Sequence, residues 1–155
     1  LEAVPDPVLA GFLLGKYNRA RELGLYLVID PESKMTELPE HLPREQLVSV
    51  LGNLIDNALE ATLQHKGTGG EVKLSMTDLG NDLIFEVEDQ GAGILLHQQQ
   101  QIFEKGFTSK TETGHGIGLH LVKKLMQTLG GTITLEQGEE EGSRFIVYLP
   151  KRRKA

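Results

Sequence analysis

The segment Thr113-Gly114-His115-Gly116-Ile117-Gly118-Leu119 places three glycines at every second position and leads directly into an apolar helical pattern. Glycines at this spacing allow the backbone to turn sharply and to bring its N–H groups close to another molecule. The helix that follows contributes the positive end of its dipole, so the segment predicts a cradle for phosphate oxygens. Glycines also mark ordinary helix caps and loops, and the prediction therefore depends on the segments that accompany it.

The composition is that of one globular domain, because the chain has 155 residues and no cysteine. The absence of cysteine excludes disulfides and cysteine-based metal sites. A formal net charge of -6 argues against a nucleic-acid-binding protein. No apolar run approaches the ~20 residues of a membrane-spanning helix, so we expect no direct membrane contact. The chain starts at Leu1, and we expect it to be a fragment of a longer protein.

The apolar periodicity predicts both helices and strands, and their order favours an α+β two-layer sandwich. Helices are expected to begin at Pro7, behind an Asp6 N-cap, at Pro43 and at Ile117, with a short additional helix at His97–Ile102. Strands are expected at Leu25–Ile29, Val72–Met76, Leu83–Val87, Thr132–Gln137 and Ser143–Leu149. A hairpin turn at Gly80-Asn81-Asp82 joins the second and third strands. The expected architecture is a mixed sheet with about three helices packed on one face.

The second helix has an apolar face and a separate face with two asparagines. The apolar face consists of Leu47, Val50, Leu51, Leu54, Ala58 and Ala61. Asn53 and Asn57 lie four residues apart on the other face, together with Glu60. An amide carbonyl is a neutral, hard oxygen ligand, which suits a magnesium ion that otherwise keeps water and phosphate oxygens. The alternative is a polar helix face in water, and the pair alone does not decide between the two.

Asp89 closes the third strand and begins the sequence Asp89-Gln90-Gly91-Ala92-Gly93-Ile94. A carboxylate fixed at a strand end, beside glycines that open space, can accept a hydrogen bond from an exocyclic amine such as adenine N6. A turn aspartate is the alternative.

Further along the chain, Phe103 and Phe107 flank Glu104-Lys105-Gly106 in a polar loop. The loop is either a lid with apolar anchors or an ordinary loop whose aromatic side chains enter the core. Lys110 supplies a point charge suited to a terminal phosphate. The five histidines are read as surface or loop residues, because no two of them have the i, i+4 spacing of helical metal sites: His41, His65, His97, His115 and His120.

Four segments, in this order, resemble the motifs of the GHKL ATPase/kinase superfamily. Asn53–Ala61 resembles its N box, and Asp89–Ile94 its first glycine box. Ile102–Lys110 is similar to the F box of sensor histidine kinases, and Gly114–Leu119 to the second glycine box. The residues of the N box and of the Asp6–Gly24 segment look closest to those of the citrate and C4-dicarboxylate sensor kinases.

The resemblance implies a Bergerat-type fold with a flexible ATP lid and a Mg-ATP site. The residues that it implies in ATP binding are Asn53, Asn57, Asp89, Gly91, Gly93, Ile94, Phe103, Phe107, Thr108, Lys110, Gly114, His115, Gly116, Ile117, Gly118 and Leu119. Among these, Asn57 would bind magnesium, Asp89 would bind adenine, and Asn53 and Lys110 would be catalytic. Many histidine kinases carry a basic residue near Glu60, and its acidic character here leaves Lys110, with Lys105 as the second candidate, for the terminal phosphate.

Asn53 also separates subclasses of the superfamily. Hydrolytic members typically carry Glu at this position as a general base, and an amide cannot take a proton. The resemblance therefore implies a site that holds ATP for transfer to a histidine, which requires mostly positioning and charge neutralisation. The alternatives are a hydrolytic GHKL ATPase and a nucleotide-free interaction module with the same fold.

The implied protein is a bacterial two-component sensor histidine kinase with ATP and Mg²⁺ as cofactors. Residues 1–24 would connect to a separate dimerisation and phosphoacceptor domain, 25–150 would form the ATP-binding domain, and 151–155 a basic tail. None of the five histidines lies in the context of a helical phosphoacceptor hairpin, so we expect the acceptor outside this chain. A response regulator would act downstream, and the domain would lie on the cytoplasmic side of an inner-membrane-anchored kinase.

Overall fold

The computed structural model describes residues 4–35, 37–99, 101–104, 117–138 and 141–152. Within these ranges the chain forms three α-helices and one five-stranded sheet. The helices are α1 (Pro7–Glu22), α2 (Arg44–Lys66) and α3 (Ile117–Thr128). The strands are β1 (Tyr26–Ile29), β2 (Glu71–Leu79), β3 (Asp82–Glu88), β4 (Thr132–Gln137) and β5 (Ser143–Pro150). The predicted order of these three helices and five strands is confirmed.

The sheet is mixed, with the strand order β1-β2-β3-β5-β4. β1 runs parallel to β2, and every other neighbouring pair is antiparallel. The β2–β3 hairpin closes at the pair Leu79↔Asp82, which confirms the predicted turn. β3 is the central strand, so the residue that follows it, Asp89, emerges at the middle of one end of the sheet.

Alternation along β3 separates the two faces of the sheet. Leu83, Phe85 and Val87 are buried in the common core, and Glu86 and Glu88 alternate with them on the opposite face. On that face Arg144 of β5 contacts carboxylates on both neighbouring strands, at 3.6 Å from Glu88 and 2.9 Å from Glu136. The helices therefore cover one face only, which confirms the predicted two-layer sandwich.

α2 lies in the centre of the helical layer and contacts α1, α3, β2 and β3. All six residues predicted for its apolar face are buried. α1 adds Leu9, Leu13 and Ala20 to the same core, so it packs as part of this layer. The role of residues 1–24 as a connection to another domain stays a prediction. None of the described helices has the length and apolar character needed to cross a membrane.

The structure differs from the sequence predictions at one helix boundary and in one short helix. The predicted Asp6 N-cap is confirmed, because its Oδ2 accepts a hydrogen bond from Leu9 N at 3.0 Å. Pro43, predicted as the first helical residue, is instead the N-cap of α2. The predicted helix at His97–Ile102 is wrong, since a single 3₁₀ turn at Leu96–Gln98 replaces it. Of the described residues between Leu95 and Ile102 only Ile102 is buried, and Leu95 and Leu96 are exposed, so a continuous buried face that would stabilise a longer helix is missing there.

Candidate functional site

Asp89 is a buried carboxylate held by the backbone of two other segments. Its side chain is 1% exposed, and Oδ1 accepts hydrogen bonds from Gly91 N at 2.8 Å and Ser143 N at 3.1 Å. Asp89 N donates in turn to Ser143 O at 2.9 Å. Burial raises the pKa of Asp89 to about 6, and the negative charge of Glu88 adds to this, although both N–H donors act in the opposite direction. A buried carboxylate with a raised pKa is typical of a functional group.

Two glycines permit the close packing around Asp89. A Cβ at Gly91 would lie 2.9 Å from the Cβ of Ala61 on α2. A Cβ at Gly142 would lie 2.9 Å from Asp89 Oδ1 and would clash with the Asp89 carbonyl oxygen. The turn after β3 is therefore pressed between α2 on one side and the start of β5 on the other. Both glycines permit close contact between segments of the chain, whereas the sequence had suggested only that Gly91 opens space.

Asn53 brings α2 against the start of α3. Its Nδ2 donates to Ser49 O at 2.7 Å, which fixes the orientation of the amide. A Cβ at Gly118 would lie 3.1 Å from Asn53 Cγ and would clash with Asn53 Oδ1. Gly118 is the third glycine of the segment Thr113–Leu119. The fold thus joins two predicted site segments that are far apart in the chain.

Asn57 is half-buried on the same side of α2, and its amide is not committed to a described neighbour. Its Nδ2 is buried without a hydrogen-bond partner among the residues that the structure describes. Asp56, the preceding residue, pairs with Lys16 of α1 at 2.8 Å, and Glu60 is exposed. The described part of the chain contains no cluster of three or more His, Asp or Glu side chains that could hold a metal ion alone.

Phe103 packs against the core. This agrees with the second interpretation of its segment, an ordinary loop whose aromatic side chains enter the core. Its ring meets Phe145 edge to face, with 6.1 Å between the centroids, and Lys123 Nζ lies 5.4 Å from its centroid. Ile94 is half-buried beside the same core, and Leu119 is fully buried in it, so Leu119 can reach a ligand only through its backbone. Six predicted site residues lie outside the described ranges: Phe107, Thr108, Lys110, Gly114, His115 and Gly116.

Sequence reasoning missed the roles of Thr62, Gln90, Gly142 and Ser143. Thr62 is fully buried on α2, and its Oγ1 accepts a hydrogen bond from Gln90 N at 3.0 Å. A threonine in phase with the apolar face of a predicted helix was the available signal, because a buried hydroxyl requires a hydrogen-bond partner. Ser143 acts through its backbone, for which a sequence carries no signal.

The Gly118–Asn53 contact predicts that replacing glycine by alanine has opposite effects on the free energy of unfolding at Gly118 in α3 and at Gly15 in α1. Gly118→Ala is expected to lower the free energy of unfolding by about 1–3 kcal/mol, because the added methyl overlaps Asn53. Gly15→Ala is the matched control, since a Cβ at Gly15 in α1 meets nothing within 4 Å. The control is expected to raise stability by up to about 1 kcal/mol through higher helix propensity. Urea denaturation measures both, and a stabilised Gly118→Ala variant would contradict the contact.

Residues 43–153 match the family described as Histidine kinase-, DNA gyrase B-, and HSP90-like ATPase. The match includes every site segment described above. The chain belongs to this family.

Three curated relatives of this chain are named as a sensor protein or as sensor kinases. The sensor protein CitS of Halalkalibacterium halodurans is 44% identical over 97% of this chain. The sensor histidine kinase CitA of Klebsiella pneumoniae is 40% identical over 94% of it. A probable C4-dicarboxylate sensor kinase of Halalkalibacterium halodurans is 34% identical over 99% of it. The chain spans between 26% and 29% of the length of these three proteins.

Solved structures agree with the family assignment. The nucleotide-free catalytic domain of histidine kinase ThkA has a TM-score of 0.78 at 26% identity, over 93% of this chain and 92% of that one. Full-length ShkA in complex with AMPPNP has a TM-score of 0.74 at 26% identity, over 96% of this chain and 30% of that one. ThkA has also been solved in complex with the response regulator protein TrrA. The resemblance to histidine kinase ATPase domains, and to the citrate and C4-dicarboxylate sensors among them, is confirmed.

Proposed function

We propose that this chain is the catalytic domain of a sensor histidine kinase that binds Mg-ATP and transfers the γ-phosphoryl group to a histidine on a separate domain. The observation that carries the proposal is the contact between Asn53 and Gly118. It brings the asparagine-bearing face of α2 against the segment that the sequence predicts to cradle phosphate. The curated relatives, which include the sensor histidine kinase CitA, support the same activity.

Asp89 is proposed to recognise the base. An ionised carboxylate accepts hydrogen bonds only, so it suits the N6 amine of adenine and opposes a carbonyl at the same position. The two N–H donors on Oδ1 fix the carboxylate before a nucleotide arrives. A group that is held in advance does not lose side-chain freedom on binding, which favours affinity.

Asn57 is proposed to hold magnesium, and the observed site fits that role. The amide is half-buried and has an uncommitted nitrogen, so its carbonyl oxygen is free to turn toward an ion. Because the described residues provide no acidic cluster, the ion would depend on the phosphate oxygens of the nucleotide for further ligands. When bound, magnesium neutralises charge that develops on the transferred group. Lys110 is proposed to add a positive charge at the terminal phosphate.

Asn53 favours transfer over hydrolysis. Its Nδ2 is engaged by Ser49 O, and its Oδ1 faces Gly118, so the side chain has a fixed orientation. An amide in this position cannot remove a proton from water, whereas an imidazole acceptor is itself a nucleophile at neutral pH. The hydrolytic alternative therefore lacks the general base that it requires at this position.

The wider assembly is also a proposal, since the chain spans under a third of the curated relatives that it matches. The phosphoacceptor histidine would lie on a dimerising helical hairpin connected through residues 1–24. A response regulator would receive the phosphoryl group, as the solved complex of ThkA with TrrA suggests for that kinase. The domain would work on the cytoplasmic side of a membrane-anchored sensor.

Phosphotransfer in trans tests this function. The chain is mixed with a separately prepared phosphoacceptor hairpin and γ-labelled Mg-ATP, and acid-labile phosphohistidine is expected on the hairpin. Removal of magnesium, or the Asn57→Ala substitution, is expected to reduce the signal by at least about tenfold, because both remove charge neutralisation at the phosphates. Steady release of inorganic phosphate without the hairpin, and no labelled hairpin, would support the hydrolytic alternative.

A further inference from the structure

A single buried hydroxyl bonds the Asp89–Gly91 turn to α2. Thr62 is 0% exposed, and its Oγ1 accepts the hydrogen bond from Gln90 N at 3.0 Å. The methyl group of Thr62 lies on the other side, where a Cβ at Gly70 would approach it to 2.5 Å. With its methyl group packed and its hydroxyl bonded, the side chain has one orientation open to it.

Gln90 extends this connection to the sheet. Its Oε1 accepts a hydrogen bond from Glu71 N, the first residue of β2, at 2.8 Å. Gln90 is also the residue between Asp89 and Gly91, and Gly91 N is a donor to the Asp89 carboxylate. A displacement of Gln90 would therefore move both the carboxylate and one of its donors.

We propose that Thr62 is a positioning residue for base recognition, because it sets where Asp89 stands relative to Asn57. This inference rests on the proposed function, in which Asn57 serves the phosphate end of the nucleotide and Asp89 the base. Asn57 and Thr62 lie on the same helix, whereas Asp89 follows a strand. A nucleotide that contacts both elements requires a fixed spacing between them, and the bond from Thr62 to Gln90 provides it.

The expected effect is on base selectivity more than on overall affinity. Without the hydroxyl, Gln90 N loses its acceptor and the turn can move away from α2. A displacement of about 1 Å can cost up to about 100-fold in a positioned interaction. The phosphate end would be unaffected, because Asn53 is held by Ser49 O and by its contact with Gly118, nine residues before Thr62 on α2.

Isosteric and conservative variants of Thr62 test the proposal. Thr62→Val keeps the shape and removes the hydroxyl, whereas Thr62→Ser keeps the hydroxyl. Calorimetric titrations with Mg-ATP and competition titrations with Mg-ITP, which has a carbonyl in place of the N6 amine, give the ATP/ITP selectivity. Thr62→Val is expected to lower this ratio by about tenfold, with the magnesium dependence of binding unchanged, and Thr62→Ser is expected to keep the wild-type ratio.

His65→Ala is the control for general weakening of the end of α2. It removes the exposed pair with Glu141, at 3.2 Å, without touching the turn, and is expected to leave the ratio unchanged. A lower melting temperature for Thr62→Val with an unchanged ATP/ITP ratio would show a purely structural role and overturn the inference. If Thr62→Val does not fold, an equal ratio in Thr62→Ala and Thr62→Ser would overturn it. A wild-type chain that binds neither nucleotide would overturn the proposed function itself.

Discussion

Asp89→Asn is expected to weaken Mg-ATP binding by about 100-fold or more and, at neutral pH, to stabilise the nucleotide-free domain. The amide keeps an oxygen that can accept from Gly91 N and Ser143 N, so the local hydrogen bonds survive. It presents an N–H donor where the carboxylate presented an acceptor, and a donor facing the N6 amine leaves both groups unpaired. A site built to hydrogen-bond one group rejects a mismatched partner by large factors.

The stability effect follows from the direction of the pKa shift. The folded-state pKa of Asp89, about 6, lies above the ordinary value of 3.8 that the carboxyl has in the unfolded chain. Below pH 3.8 the group is neutral in both states and imposes no penalty. Between about pH 3.8 and 6 the unfolded chain ionises while the folded state keeps the buried carboxyl protonated, so the folded state loses up to about 3 kcal/mol of stability, at 1.36 kcal/mol per pKa unit, and the loss levels off above about pH 6. Asparagine does not ionise, so the variant avoids this loss.

Thermal unfolding between pH 4 and 8 measures the predicted difference. The melting temperature of Asp89→Asn is expected to exceed that of the wild type increasingly as pH rises, and the difference should level off above about pH 6. A variant that is less stable than the wild type at pH 7 would contradict the burial cost. Unchanged Mg-ATP affinity would contradict the assignment of Asp89 to the base.

Gly142→Ala is expected to be the most destabilising single-methyl substitution proposed for this chain. Gly142 has φ +90, a backbone conformation that costs other residues about 1–2 kcal/mol. The added Cβ would also overlap the Asp89 carbonyl oxygen and lie 2.9 Å from Asp89 Oδ1. Since backbone must move to relieve that overlap, we expect a total loss of about 4 kcal/mol or more, together with loss of nucleotide binding.

Gly69→Ala separates the two contributions. Gly69 also has φ +90, but a Cβ there meets nothing within 4 Å. This control is expected to lose only the conformational part, about 1–2 kcal/mol, and to bind nucleotide normally. Urea denaturation and Mg-ATP titration of both variants measure the difference. Equal destabilisation by the two substitutions would show that Gly142 does not carry a packing constraint.

Sequence patterns predicted the elements well where a long periodic face existed. The apolar residues of α2 and the alternation in β2 and β3 each identify a buried face, and every such face is buried in the structure. The described residues of the predicted His97–Ile102 helix bury only Ile102, and that prediction was wrong. The contact of Gly118 with Asn53 could not be predicted either, because periodicity identifies which face is buried but not what covers it.

By itself, the sequence determined the kinds of element, their order and the chemical types at the site: amides on one helix face and a carboxylate at a strand end. These follow from local periodicity and from the chemistry of each side chain. Only the tertiary structure decided that Ser143 binds Asp89 and that Thr62 binds Gln90. The physical reason is that hydrophobic burial is non-directional, whereas hydrogen-bond partners depend on strand order and register, which all the packed elements set together.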